Sequence, residues 1–166
     1  MRGWPRLVSL DAPLILLAIA TVLTGLLAGI SLDKWVVQLP ARHQIGIRPF
    51  AAFSRANDLG NCLVLYPVLG VGAAMVTIAA ALIANSPRLT GTPAWAVDSS
   101  AVLAVLHSLV TTRAAPQILR LRDPGTDQAA MAAALDRFAA WHAARAILQL
   151  LNFLTLLWSV IAFASR

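Results

Sequence analysis

From Pro13 to Leu32 the chain runs PLILLAIATVLTGLLAGISL, about 20 residues without a single charge. Such a run is long enough to cross a hydrocarbon layer of roughly 30 Å, where no water is available to satisfy backbone N–H and C=O groups. Only a helix or a closed barrel meets that condition, and an unbroken apolar run is the helical pattern. A cleaved leader would carry a shorter apolar stretch and a small-residue exit. Here Asp33-Lys34-Trp35 follows, which reads as an interfacial anchor, so the segment is expected to be retained.

Three further runs repeat the pattern. Residues 62–84 (CLVLYPVLGVGAAMVTIAAALIA) are interrupted by Pro67 and by Gly70 and Gly72, which membrane helices tolerate when neighbours satisfy the freed backbone groups. Pro49 suits the first turn of a helix that leads toward this span, with Gly60 as the first strong breaker. The third span, residues 94–112, follows the turn-rich SPRLTGTP, and the fourth, residues 138–164, follows RLRDPGTDQ and the Ala-rich amphipathic stretch from Gln128 to Arg137. Trp35, Trp95, Trp141 and Trp158 sit near the span ends, as an aromatic belt requires. The expected fold is all-α, a single four-helix transmembrane domain with both termini on one side. Basic residues favour neither side once loop lengths are weighed.

Composition narrows the function classes. A hydrophobic share of 59% against 12% charged residues places the chain among membrane proteins. The net charge of +6 is dispersed over several polar segments, which argues for contact with membrane lipid and against nucleic acid. Cys62 is the single cysteine, so a disulfide, a CxxC pair and a thiolate zinc site are excluded within the chain. No Walker loop, dinucleotide-binding glycine signature or GxSxG elbow occurs.

Ionisable groups inside a span are costly unless paired, so each is a candidate site residue. His142, Arg145, Gln149 and Asn152 fall within a stripe of roughly 80° on the fourth helix, with Ser159 nearly continuing it. The plainer account is interhelical glue, but Arg145 needs an anion as well as packing. On the third span Ser100, His107 and Thr111 share a face, and His107 is the deepest ionisable group. A neutral hydrogen-bonding role for His107 competes with a general base. Three histidines without HExxH or carboxylate-paired spacing are a weak metal signal, so no metal site is assigned, and no cofactor is required by the sequence. Asn57, Asp58 and Asn61 gather at the entrance of the second span, where Asp58 is the expected counter-ion of Arg145 or Arg113. Gly25 and Gly29, and Tyr66, Gly70, Ala73 and Thr77, form stripes read as packing surfaces.

LDKWVVQLPARHQIG after the first span, FAAFSRANDLGNCLVLYPVLGVGAA entering the second, and TTRAAPQILRLRD with RFAAWHAARAILQLL in the last third together resemble the anthrone oxygenase-like family of small four-helix membrane proteins. The resemblance covers most of the chain. It implies a multi-pass protein of a bacterial cell membrane that oxidises polycyclic phenolic anthrones with molecular oxygen and no added cofactor. Asn57, Asn61, Trp141, His142 and Arg145 are the family-like positions. The expected function is thus an oxygenase-type enzyme for a lipophilic aromatic, anthrone- or quinol-like, substrate. His142 or His107 would be the base, Arg145 and Asn152 the anion stabilisers, and Gln149, Asn61, Asn57, Asp58 and Trp141 the substrate contacts. The alternative is a non-catalytic helical module, an accessory subunit or a binder of lipid, quinone or pigment, in which the stripe serves assembly. Oligomerisation is open in either case, and a transporter ranks third because one such chain is small for a pore.

Overall fold

The computed structural model describes residues 12–84 and 94–165, and every element among them is helical. Four long helices carry the spans: α1 (Ala12–Asp33), α4 (Cys62–Ala84), α5 (Ala94–Leu119) and α6 (Gln128–Ala164). Between α1 and α4 lie a π-helical turn (Lys34–Gln38), the short helices α2 (Leu39–Ile45) and α3 (Ile47–Ala56), and a second π-type turn (Asn57–Asn61). A 3-10 turn (Arg120–Arg122) and an Asp-Pro-Gly turn join α5 to α6. The expected all-α four-helix architecture is therefore present. The SPRLTGTP connection, with Arg88, and the terminal arginines Arg2, Arg6 and Arg166 fall outside the described residues.

At most 39% of any spanning window is buried within the protein, so these helices turn mainly apolar surface outward, as lipid-facing helices do. Up-down connectivity puts the start of α1 and the end of α6 at the same end, hereafter the terminal end. There Leu17, Ala20, Ala80, Ala81, Ala84, Val97 and Leu156 join all four helices in one cluster. Two buried hydroxyls are satisfied within their own helices: Thr21 donates to the Leu17 carbonyl and Thr77 to that of Ala73, each at 2.7 Å. The Ser100 and Thr155 hydroxyls meet across α5 and α6 at 2.8 Å.

At the opposite end the helices outrun a bilayer. α6 has 37 residues, about 55 Å at 1.5 Å per residue, and the rod from Pro13 to Ile45 has 33, about 50 Å. The surplus is folded into a cap around Leu39, Phe50, Ala51, Ala114, Leu121, Met131, Leu135 and Phe138, to which α4 contributes nothing. Gly46, at φ 91°, makes the corner between α2 and α3, a conformation that favours glycine. Pro49 then occupies the first turn of α3, as its fixed φ suits, and the chain leaves helical geometry at Gly60 before α4 begins. Asp127 caps α6 by accepting from the backbone N–H groups of Ala129 and Ala130, and Asp123 accepts from Gly125 N–H.

Three arginines of the cap act as staples. Arg42 is buried, donates to the Leu135 carbonyl at 3.0 Å and pairs with Asp136 at 2.7 Å. Arg55 donates to the Leu121 carbonyl, and Arg48 to the Gln128 side chain. Basic residues assigned to lipid contact by composition thus spend part of their hydrogen bonding inside the protein.

Two predictions follow from this architecture. In a Cys62→Ser background, cysteines introduced at Gln44 and Thr126 should be labelled from one face of sealed vesicles and one at Ser165 from the other; common labelling of all three would contradict the even-span bundle. A Cβ on Gly25 would lie 2.9 Å from Phe153 Cε2. Gly25→Val should therefore cost roughly 1–3 kcal/mol of stability in detergent, with much of the loss recovered in a Gly25→Val/Phe153→Leu pair.

Candidate functional site

Counting about 20 residues inward from the terminal end of each span reaches Asp33, Arg145, Ala115 and the start of α4. The polar residues of the bundle gather at this level, the cap-side edge of the hydrocarbon layer. An ion pair forms there between Lys34, from the π-helical turn after α1, and Asp58, from the kinked turn before α4. Their side chains are only 4% and 6% exposed. Asn57 donates to the same Asp58 oxygen at 3.4 Å, while Asp58 Oδ2 has no partner. A π turn widens the helix by one residue and re-aims the side chains around it, which is why such turns recur at functional sites.

Beside this pair lies a cavity of about 440 Å³. Its polar lining includes Ser31, Lys34, Asp58, Tyr66, His107, Thr111, Arg145 and Gln149, and its apolar lining includes Leu27, Ile30, Leu59, Val71 and Phe138. All the lining residues that are themselves exposed stand on two helices: Leu63, Pro67 and Val71 on α4, and Ser108 and Leu119 on α5. The cavity therefore opens sideways, between α4 and α5, at membrane depth. The physical reason is that α4 packs on α5 at the terminal end and takes no part in the cap core, so the two helices part toward the cap.

The fourth-helix stripe points inward as expected: His142, Gln149, Asn152 and Ser159 are buried and Arg145 is half-buried. Only Arg145 and Gln149 of these reach the cavity. Gln149 Nε2 lies 2.8 Å from His107 Nε2, with the Thr111 hydroxyl 3.4 Å from the same nitrogen. Gln149 Oε1 has no partner. Arg145 makes no hydrogen bond or ion pair with any described residue, and its Nε is sealed from solvent without a partner. The guanidinium itself lines the cavity.

Several expectations are corrected. His142 is fully buried, donates from Nε2 to the Ser31 carbonyl at 3.1 Å and packs on the Phe138 ring at 5.1 Å, so it ties α6 to α1 and does not face the cavity. Asn152 is buried below the cavity floor, and Trp141 is exposed on the outer face. Asn57 contacts Asp58 and Cys62 and is not part of the lining. The side chain of Asn61 lies outside the described residues. The ion-pair partner of Asp58 is Lys34, and Arg113 is exposed. Gly25 does pack closely, against Phe153, but Gly29 and Gly70 have open space where a Cβ would stand, and Gly70 lines the cavity. Tyr66, read as packing, also lines it, as does Lys34, read as an anchor.

Among the described residues no group of three His, Cys, Asp or Glu side chains converges in a way that could hold a metal ion. What the arrangement offers is an unpaired guanidinium, a second cation neutralised by a carboxylate, and an imidazole oriented by an amide and a hydroxyl, all at one end of an apolar chamber. That combination can hold an oxygen-bearing head group and move a proton to or from it. No family model, curated protein or solved structure matches the chain.

Removing one member of the buried pair leaves the other charge unpaired. Lys34→Met or Asp58→Asn should each cost about 3–5 kcal/mol in a detergent unfolding assay, whereas the Lys34→Met/Asp58→Leu double variant should regain most of the loss. Additive losses would show that the two residues do not act as a pair.

Proposed function

We propose that this protein is a membrane-embedded oxygenase-type enzyme that takes a lipophilic aromatic substrate, anthrone- or quinol-like, from the bilayer through the opening between α4 and α5. The observation that carries this reading is the cavity itself, apolar in its body, polar at its inner end and open sideways to lipid. The resemblance of the sequence to the anthrone oxygenase-like family supports the reaction class.

An anthrone is a carbon acid, and its anion reacts with oxygen directly. In this reading His107 takes the proton from the methylene carbon and Arg145 holds the resulting enolate oxygen. The carbanion then forms a C–O bond to molecular oxygen, a proton completes the hydroperoxide, and loss of water leaves the carbonyl of the quinone. One methylene and one oxygen molecule are consumed, and one carbonyl and one water are made. Gln149 serves as the orienting residue. With its amide nitrogen toward His107 it donates to Nε2; turned over, its unpartnered Oε1 accepts Nε2–H and leaves Nδ1 as the basic nitrogen.

A second reading, a lipophile-binding module without turnover, draws support from the interhelical bonds already made by His142 to Ser31 and by Gln149 to His107. Oxygen uptake separates the two. With autoxidation subtracted, the purified protein should accelerate oxygen consumption by an anthrone, and His107→Ala should lower the rate by about 10² to 10⁴ at unchanged folded yield. His142→Ala should chiefly lower the melting temperature. Absence of acceleration across a panel of reduced polycyclic phenols, with variants differing only in stability, would favour the module.

A further inference from the structure

The charges around the cavity do not balance. Two cations, Lys34 and Arg145, face it with one carboxylate, Asp58, and that carboxylate is committed to Lys34. The chain has seven acidic residues, all aspartates. Asp33 is bonded to Gln38 on the outer surface, Asp136 is taken by Arg42, and Asp123 and Asp127 accept backbone N–H groups in the turn that precedes α6. Asp98 stands near the start of α5, more than two turns of helix beyond His107, and Asp11 is outside the described residues. No described carboxylate forms an ion pair with Arg145. A guanidinium at the edge of hydrocarbon is costly unless an anion or water meets it, and this one lines a chamber whose remaining walls are largely apolar.

We propose that the cavity binds amphiphiles bearing a single negative charge on an oxygen head, of the carboxylate or phenolate class, and that Arg145 is the residue that pairs with it. The inference deepens the function proposed above and rests on its premise that a bilayer-derived lipophile occupies this cavity. It adds that Arg145 pairs with the ligand in its anionic form, the enolate of the reaction above included. One excess cation matches one charge: a phosphate dianion would leave a net negative charge in apolar surroundings, a neutral alcohol would leave Arg145 without its counter-ion, and an ammonium would add a third cation. A guanidinium meets a carboxylate through two parallel N–H···O bonds, and a phenolate through one or two. The volume of about 440 Å³ lies within the usual range for small-ligand sites and accommodates a rigid polycyclic body alongside the head.

Three fluorescent probes with one tricyclic body and different heads test this: anthracene carboxylate, anthracene methanol and aminomethyl anthracene, titrated at neutral pH into the full chain in an uncharged detergent. The carboxylate should bind about tenfold or more tightly than the alcohol, and the ammonium most weakly. Arg145→Gln should bring the carboxylate down to the level of the alcohol, and Arg145→Lys should keep part of the preference. Equal binding of carboxylate and alcohol by the wild-type protein would overturn the head-group inference and leave the cavity reading standing. Binding of none of the three would overturn both. A carboxylate preference that survives Arg145→Gln would place the anion elsewhere and overturn the assignment. Should the Gln variant not fold, the wild-type head comparison and the Lys variant still decide the matter.

Discussion

A buried ion pair between two distorted helical turns organises this molecule. Lys34 and Asp58 are 24 residues apart in sequence and join the end of the first span to the entrance of the second. Charges withdrawn from water are tolerated only as partners, so the contact dictates how α1 meets the start of α4. Lys34 lies in a π-helical turn, where one extra residue per turn rotates the following side chains out of ordinary register, and Asp58 lies in the turn that is kinked at Gly60. The polar end of the cavity is built on that contact. Without it, the turn after α1 and the turn before α4 would have no strong reason to meet at the level of Arg145.

The cap explains why the cavity stays open on one side. α2 and α3 are held against α5 and α6 by apolar packing and by Arg42, Arg48 and Arg55, which reach carbonyl and side-chain acceptors on the α5–α6 connection and the first turns of α6. α4 is engaged at the terminal end through Ala80, Ala81 and Ala84 but is absent from the cap core. A helix fixed at one end and free of the cap at the other leaves a gap beside its neighbour. Pro67 and Gly70 stand along that gap, where a missing N–H or a missing side chain removes material that would fill it.

The polar residues of α6 divide by height along the helix. His142 and Ser159 are absorbed into structure, the first through the Ser31 carbonyl and the second through the carbonyl of Thr155. Arg145 and Gln149, which lie between them, face the cavity. One stripe thus divides its labour: His142 ties this helix to α1, Ser159 is satisfied within its own helix, and Arg145 and Gln149 between them line the cavity. Periodicity alone does not separate these roles, because all members share a face and differ only in what stands opposite.

The sequence by itself determined the class of fold, since uncharged runs long enough to cross a bilayer leave the backbone no alternative to helix, and the helix start near Pro49 and the breaks at Gly60 and Asp-Pro-Gly follow from residues whose geometry ends or starts helices. It also determined that the fourth helix would turn His142, Arg145, Gln149 and Asn152 inward, because they recur at the helical period. Only the tertiary structure decided that Lys34 and not an arginine pairs with Asp58, that Tyr66 and Gly70 line a cavity instead of a packing seam, and that Arg145 forms no ion pair with a described carboxylate. Those outcomes depend on distances between residues on different helices, which are set by where α4 parts from α5 and by how the π turn at Lys34 and the kink at Gly60 aim their side chains, and neither quantity is written in the spacing of residues along one helix.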